Sequence, residues 1–254
     1  MTSVIDLTPA PGAAPAVRRI VRHALTEAGL LVRNGEQLLL ALVIPVGILL
    51  VGRFVGGRFG DLDTLAPSVM ALAVWSSAFT SVAIATGFER RYGVLERLAP
   101  TPLGKPGLLA GKALSIVLVV VGQLLVVAVA AVAVGWRPTW TVGSALLMLV
   151  VVVLAVATFA CLALALAGRL RAEATLGLAN LVYVVLLAGG ALVLPVARYP
   201  AASQPLIRLL PTAALGEGLR AGATGLLLGW PVLVLLVWLA VSAAAAWRGF
   251  RWTS

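Results

Sequence analysis

Long apolar runs separated by short polar segments dominate the chain. A membrane-spanning helix needs about 20 residues, and a charged side chain at its centre costs about 2.5 to 3.5 kcal/mol on insertion scales. Six windows free of Asp, Glu, Lys and Arg therefore predict spans: residues 37–52, 64–88, 113–136, 138–168, 174–197 and 221–247. The first window has 16 residues and contains Pro45, so flanking residues must complete it at the interfaces.

This pattern predicts an all-α integral membrane protein with six transmembrane helices over residues 36–247. Residues 17–35 have an apolar side and an arginine-rich side, which predicts an amphipathic interfacial helix with arginines toward anionic headgroups. An ordinary amphipathic helix packed on protein is the alternative. Residues 1–16 lack the basic start and apolar run of a signal peptide and predict a flexible tail. Residues 248–254 are predicted to form a second, cytoplasmic tail.

The segment 195–225 differs from the windows around it. It contains four prolines together with Glu217 and Arg220, so it is too polar and too broken to span. Irregular backbone at membrane depth survives only when protein buries it or water reaches it. We therefore predict an outer re-entrant or surface helical segment, in which Glu217 and Arg220, three residues apart, pair with each other.

Composition and charge support a membrane protein and exclude several other classes. Hydrophobic residues are 61% of the chain and charged residues 11%. The net charge of +10 would suit a nucleic-acid partner, but its distribution argues against one. With the N-terminus inside, thirteen of the nineteen Lys and Arg residues lie on the inner side, which predicts a multi-pass protein of the cytoplasmic (inner) cell membrane with both termini cytoplasmic. The chain has one cysteine, Cys161, and one histidine, His23, so no metal site is expected.

Residues 88–99 carry the densest charge between two apolar windows. On a helical wheel they separate into an apolar stripe, an acidic pair and a basic pair: Phe88, Tyr92, Leu95 and Ala99; Glu89 and Glu96; Arg90 and Arg97. None of these charges, nor that of Arg91, has an opposite charge three or four residues away, so we expect them to be free for a partner protein. A solvated charged loop that only fixes orientation is the alternative.

Polar side chains within the predicted spans have two interpretations. Ser76 and Thr80 lie one helical turn apart, and Asn180 and Tyr183 lie close together in the fifth window. Such groups either join helices through hydrogen bonds or line a transport pathway. For Gln123, midway along the third window, we favour a hydrogen bond between helices, because an amide in hydrocarbon must find a partner.

No nucleotide site is encoded in the sequence. The string nearest to a phosphate-binding loop is residues 107–113, GLLAGKA, which has one residue too few between its glycines. It also has alanine where a Mg²⁺-binding Ser or Thr should stand. We therefore expect no cofactor and no catalytic residues in this chain.

The motif residues resemble those of a known family. Residues 88–102, FERRYGVLERLAPTP, followed by LLAGK at residues 108–112, are similar to permease subunits of type-2 ABC transporters, bacterial exporters that include the daunorubicin-resistance type. The resemblance implies a coupling helix, residues 88–99, that fits a cleft on a separate ATP-binding-cassette ATPase subunit. The residues implied in this contact are Glu89, Arg90, Arg91, Tyr92, Gly93, Glu96 and Arg97.

The resemblance further implies that ATP and Mg²⁺ are bound by the ATPase partner. It implies a second permease, a copy or a homologue, with a pathway formed largely by spans one, two and five. Four residues are candidates for that pathway: Ser76, Thr80, Asn180 and Tyr183.

The function expected from this resemblance is ATP-driven export. The absence of charge within the spans favours a hydrophobic or amphipathic substrate, such as a drug, a lipid or a secondary metabolite. The alternative is a non-transporting membrane scaffold or assembly factor that uses the basic cytoplasmic surface. A membrane-embedded enzyme acting on lipid is disfavoured, because the windows hold no acidic residue and no histidine.

Overall fold

The computed structural model describes residues 12–33, 42–55 and 61–249 of the 254-residue chain. Within these ranges the regular secondary structure is helical. The α-helices, in chain order, are α1 (Ala16–Arg33), α2 (Ile44–Val55), α3 (Leu62–Trp75), α4 (Val82–Arg91), α5 (Val94–Leu98), α6 (Gly104–Ala133), α7 (Val142–Ala167), α8 (Ala172–Gly189), α9 (Gln204–Arg208), α10 (Pro211–Ala223) and α11 (Trp230–Gly249). A 3₁₀ turn, Val196–Arg198, lies between α8 and α9.

Five of the described helical segments are long and apolar enough to cross a membrane: Leu62–Arg91, Pro106–Ala133, Val142–Ala167, Ala172–Gly189 and Trp230–Gly249. They confirm the all-α membrane fold. The shorter apolar helix Ile44–Phe54 falls in the first predicted window, and residues 34–41 before it lie outside the described ranges. A sixth crossing there stays a prediction.

Two predicted window edges were wrong. The fifth helix ends at Gly189 rather than near residue 197, because the backbone turns at Gly190 and Ala191 takes a left-handed φ of 54°. The sixth begins at Trp230 rather than at residue 221, after a turn in which Gly225 has a φ of 77°. Glycine adopts this left-handed conformation at little steric cost, which permits the turn at Gly225. A window without charged residues is therefore not necessarily one continuous helix.

The second span is a single long helix with a widened turn inside it. Helices α3 and α4 are joined by a π-helical segment, Ser76–Ser81. Beside this turn, Trp75 stacks on Phe79 with ring centroids 4.4 Å apart and meets Phe159 edge-on at 4.8 Å. All three rings are buried, so this cluster holds the widened turn against α7. Such π-helical segments are rare and concentrate at functional sites.

Helix α1 packs lengthwise on α6. A Cβ added at Gly111 of α6 would lie 2.5 Å from Cδ2 of His23, so glycine permits the close approach of α1. Ala24 is fully buried in this contact, while Val17 and Leu25 remain exposed. The helix therefore both packs on protein and keeps an exposed apolar face, which combines the two sequence-based interpretations.

The 195–225 segment folds into the body of the protein. Helix α10 is buried along nearly its whole length and packs against α3 and α7. Gly218 and Gly222 face α7, where an added Cβ would lie 2.8 Å from Cγ1 of Val151 and 3.0 Å from Cβ of Met148 respectively. Small residues one turn apart let two helices approach closely in a membrane.

We expect the Gly218→Leu variant to lower the free energy of unfolding by about 1–3 kcal/mol, because the larger side chain overfills this contact. Thermal unfolding of the purified chain in nanodiscs measures the effect. Gly229→Leu is the matched control, since an added Cβ there meets nothing within 4 Å. Equal unfolding midpoints for the two variants would contradict close packing at Gly218.

The predicted pairing of Glu217 with Arg220 is confirmed, with an Oε1 to Nη2 distance of 3.0 Å. Arg220 also donates to the Ala191 carbonyl at 2.8 Å, the Leu192 carbonyl at 3.0 Å and the Ser68 hydroxyl at 2.9 Å. Burial lowers the pKa of Arg220, and the carboxylate of Glu217 opposes that shift. This guanidinium therefore ties α10 to the end of α8 and to α3.

Candidate functional site

The loop between the second and third spans begins with a helix break. Residue Tyr92 donates its backbone N–H to Phe88 at 2.9 Å, and Gly93 donates to Arg90 at 3.1 Å, which closes α4. Gly93 has a φ of 67°, the left-handed conformation that favours glycine at helix ends. The prediction of one continuous helix over residues 88–99 was therefore wrong: α4 ends at Arg91 and a separate helix, α5, starts at Val94.

Glu89 points inward and belongs to a three-residue charge cluster. Its Oε1 lies 2.7 Å from Nζ of Lys112, and the same Nζ lies 3.5 Å from Oε2 of Glu27. The cluster therefore joins α1, α4 and α6. Glu27 is in turn 3.8 Å from Nε2 of His23. The expectation that the charge of Glu89 is free was wrong, because its partner is distant in sequence and close in space.

Arg90 and Arg91 also have partners within the chain. Arg90 is buried and donates to the carbonyl oxygens of Ala167 and, at 3.2 Å, Leu170, at the turn that follows α7. Arg91 pairs with Glu173 in the first turn of α8. The expectation of free charge was wrong for these two arginines as well. Both side chains instead hold the end of the second span against the turn between α7 and α8.

The outward side of this loop is formed by Tyr92, Val94, Glu96 and Arg97, which we call the docking surface after the role that the family resemblance implies for this loop. Tyr92 is 63% exposed and Val94 is 37% exposed, and both charged side chains are exposed. Glu96 and Arg97 make no ion pair with any residue that the structure describes. Leu95 points the other way and is buried, so α5 is anchored from beneath. The docking surface thus presents an aromatic ring and two opposite charges.

A cavity of about 540 Å³ lies among α2, α3 and α8, and we call it the pathway cavity after the role that the family resemblance implies for these segments. Tyr183 lines it from α8, and Ser68 lines it from α3. The other described residues that line it are aliphatic or glycine. The cavity is thus formed by the first, second and fifth hydrophobic segments, the same three that the family resemblance implies for the pathway.

The other three pathway candidates lie elsewhere. Ser76 and Thr80 belong to the π-helical segment and do not line the pathway cavity, and the Thr80 hydroxyl is buried without a hydrogen-bond partner among the described residues. Asn180 is exposed on α8, three residues before Tyr183. The geometry therefore brings one of the four candidates to this cavity, and the role of the four in transport stays a prediction.

Gln123 makes the hydrogen bond between helices that its position predicts. The Ser77 hydroxyl, on the π-helical segment, donates to Oε1 of Gln123 at 2.7 Å in a buried contact between the second and third spans. That prediction is confirmed. The same pair lies on the wall of a second cavity, between α1 and α6.

Three charged residues at this site were not predicted from the sequence: Glu27, Lys112 and Glu173. Each lies on a different helix from the motif residue that it pairs with. One signal was present, since Lys112 ends the LLAGK string that follows the charged loop. No pattern of spacing, however, relates Glu27 to Lys112.

The described helices define a multi-pass, all-helical membrane protein with a charged loop held between its second and third spans. The ABC-2 type transporter family model matches residues 24–224, well over half of the chain. The chain therefore belongs to this family, whose members are membrane permease components of ABC transporters. The matched range includes the charged loop, the pathway cavity and α10. No curated protein matches the chain.

Proposed function

We propose that this permease exports a hydrophobic or amphipathic substrate across the cytoplasmic membrane, driven by a separate ATP-binding-cassette subunit that contacts the docking surface. ATP and Mg²⁺ are bound by that partner, and a second permease completes the pathway. The distribution of Lys and Arg supports an orientation with both termini in the cytoplasm. The docking surface then faces the compartment that holds ATP.

The geometry of the docking surface carries this proposal. The loop that carries its exposed ring and charges is held by a support made of Glu89, Arg90 and Arg91, each of which bonds to a residue of another helix. Exposed tyrosines are frequent anchors of protein interfaces, and charges around them steer association. Because the support is tied to several helices, movement of the loop is passed to the spans.

The aliphatic pathway cavity supports the substrate class. Ser68 and Tyr183 are its only lining residues with polar side chains among those described, and its other lining residues offer only aliphatic contact. Binding pockets of about 300–1,000 Å³ with apolar walls and a few polar groups are typical of small-molecule sites. A hydrophobic or amphipathic molecule matches this lining better than an ion does.

We expect Tyr92→Ala to weaken binding of the ATPase partner by about 30-fold, which corresponds to about 2 kcal/mol for an interface anchor. We expect Arg97→Glu to slow association and to change its salt dependence, because a charge at the rim acts mainly on the encounter. The measurement is affinity purification from native membranes, with mass spectrometry of the ATP-binding protein that is recovered. Titration of the purified partner then gives the binding constants.

Arg198→Glu is the matched control, since it reverses an exposed arginine away from the docking surface. It should leave recovery of the ATPase unchanged. Equal recovery with Tyr92→Ala, Arg97→Glu and Arg198→Glu would remove the docking role. Clean absence of any ATP-binding-cassette protein would favour the scaffold function instead.

A further inference from the structure

A second cavity, of about 560 Å³, lies between α1 and α6 and is lined also by the second span. Among the residues that the structure describes, it shares no lining residue with the pathway cavity. One end holds Glu89 and Lys112, and the other holds Ser77 and Gln123. Lys112 and Gln123 are about 16 Å apart along α6 at about 1.5 Å rise per residue, so the cavity is elongated. We call it the lateral cavity.

The lateral cavity is polar at its two ends and apolar between them. Leu30 and Leu31 of α1 face Ile116 and Val119 of α6, which gives an aliphatic middle. The π-helical segment contributes Ser77 and so places a hydroxyl, through its bond to Gln123, at the far end. A ligand that fits these walls has a long apolar body.

The charged end of the cavity has an excess of negative charge. Its charged lining residues, among those described, are Glu27, Glu89 and Lys112, and the single ammonium lies between the two carboxylates. The second carboxylate oxygen of Glu89, Oε2, is buried and accepts no hydrogen bond from the described residues. Leaving such an acceptor unpaired is costly, so this end is suited to a cationic donor.

We propose that the lateral cavity binds a long-chain amphiphile whose protonated amine donates to Glu89 and whose apolar body lies between α1 and α6. An amine supplies both the donor and the compensating positive charge. Binding here needs neither the ATPase nor transport through the pathway cavity. Its failure would therefore leave the proposed function untouched.

The test is equilibrium binding of radiolabelled dodecylamine to the full chain in phosphatidylcholine nanodiscs, with empty nanodiscs subtracted. We expect saturable binding that unlabelled dodecylamine displaces at least about tenfold better than dodecanol or dodecanoate, because only the amine offers a charged donor. Glu89→Gln should weaken binding by about tenfold. Lys112 lies 3.5 Å from Glu27 and keeps this partner, so we expect the variant to fold. Asp63→Asn, which changes an exposed carboxylate outside the cavity, should bind normally.

A second variant tests the cavity without changing charge. A Cβ added at Gly122, which lines the cavity, meets no described atom within 4 Å, so Gly122→Leu extends into the space that the ligand needs. We expect it to weaken binding at least about tenfold, because the leucine side chain displaces part of the apolar body of the ligand and removes its contact with the cavity wall. Gly177→Leu is the matched control, because an added Cβ there also meets nothing and the residue lies on α8. Equal displacement by dodecanol and dodecylamine, or unchanged binding in Gly122→Leu, would overturn the proposal.

Discussion

Replacing Arg220 by methionine is expected to lower the free energy of unfolding by about 3–5 kcal/mol, because it leaves the partly buried carboxylate of Glu217 without its cation. The Arg220 side chain is only 8% exposed and makes four hydrogen bonds that join α10, α3 and the end of α8. Methionine fills much of the same volume and supplies none of them. The carbonyl oxygens of Ala191 and Leu192 then lose their donor as well. Thermal unfolding in nanodiscs measures the loss.

Lysine at position 220 should not rescue the protein, since one ammonium cannot reproduce the planar fork that reaches several acceptors. Arg208→Met is the matched control, because Arg208 is exposed on the short helix α9. The double variant Glu217→Gln with Arg220→Met should recover part of the loss by removing the uncompensated charge. Equal unfolding midpoints for Arg220→Met and Arg208→Met would show that the network contributes little.

Replacing Lys112 by methionine is expected to lower the free energy of unfolding by about 3 kcal/mol, because it leaves two carboxylates together in a largely buried cluster. Glu27 and Glu89 are 24% and 20% exposed, and both face the same ammonium. Without it, α1 loses its ionic connection to α6. Thermal unfolding measures the loss, and hydrogen exchange of α1 shows where it acts.

A double-mutant cycle separates charge repulsion from lost packing. Adding Glu89→Gln to Lys112→Met should recover most of the stability, because one carboxylate then remains in place of two. Arg22→Met is the control, since Arg22 is an exposed cation on the other side of α1. Losses that simply add in the double variant would contradict an interaction between Lys112 and Glu89.

These variants also separate structural from docking roles within one motif. Glu89 and Glu96 lie on the same side of an ideal helical wheel, yet one is held inside the fold and the other is exposed. Reversing both to lysine would therefore combine a fold defect with a change at the docking surface. Variants of Tyr92 and Arg97 alone leave the internal charge cluster intact and test the docking surface by itself.

The sequence alone determined the architecture at the level of helices. The long stretches without charged residues predicted where the membrane helices lie, because burying a charge in hydrocarbon is costly whatever the rest of the fold. The same local reasoning predicted the pairing of Glu217 with Arg220 and a helix-to-helix bond for Gln123, and both are confirmed. Both predictions depended only on a short segment of sequence. The first used two residues one helical turn apart, and the second used a single polar residue within an apolar run.

Only the tertiary structure decided which charges of the loop are exposed and available to a partner protein. Gly93 broke the expected helix, so residues on one predicted face separated into different environments. Lys112, Ala167 and Glu173 supplied Glu89, Arg90 and Arg91 with partners from other helices. The widened turn at Ser76–Ser81 and the two cavities likewise depend on how helices pack. Contacts between residues far apart in sequence leave no periodic pattern, so packing alone brings them together.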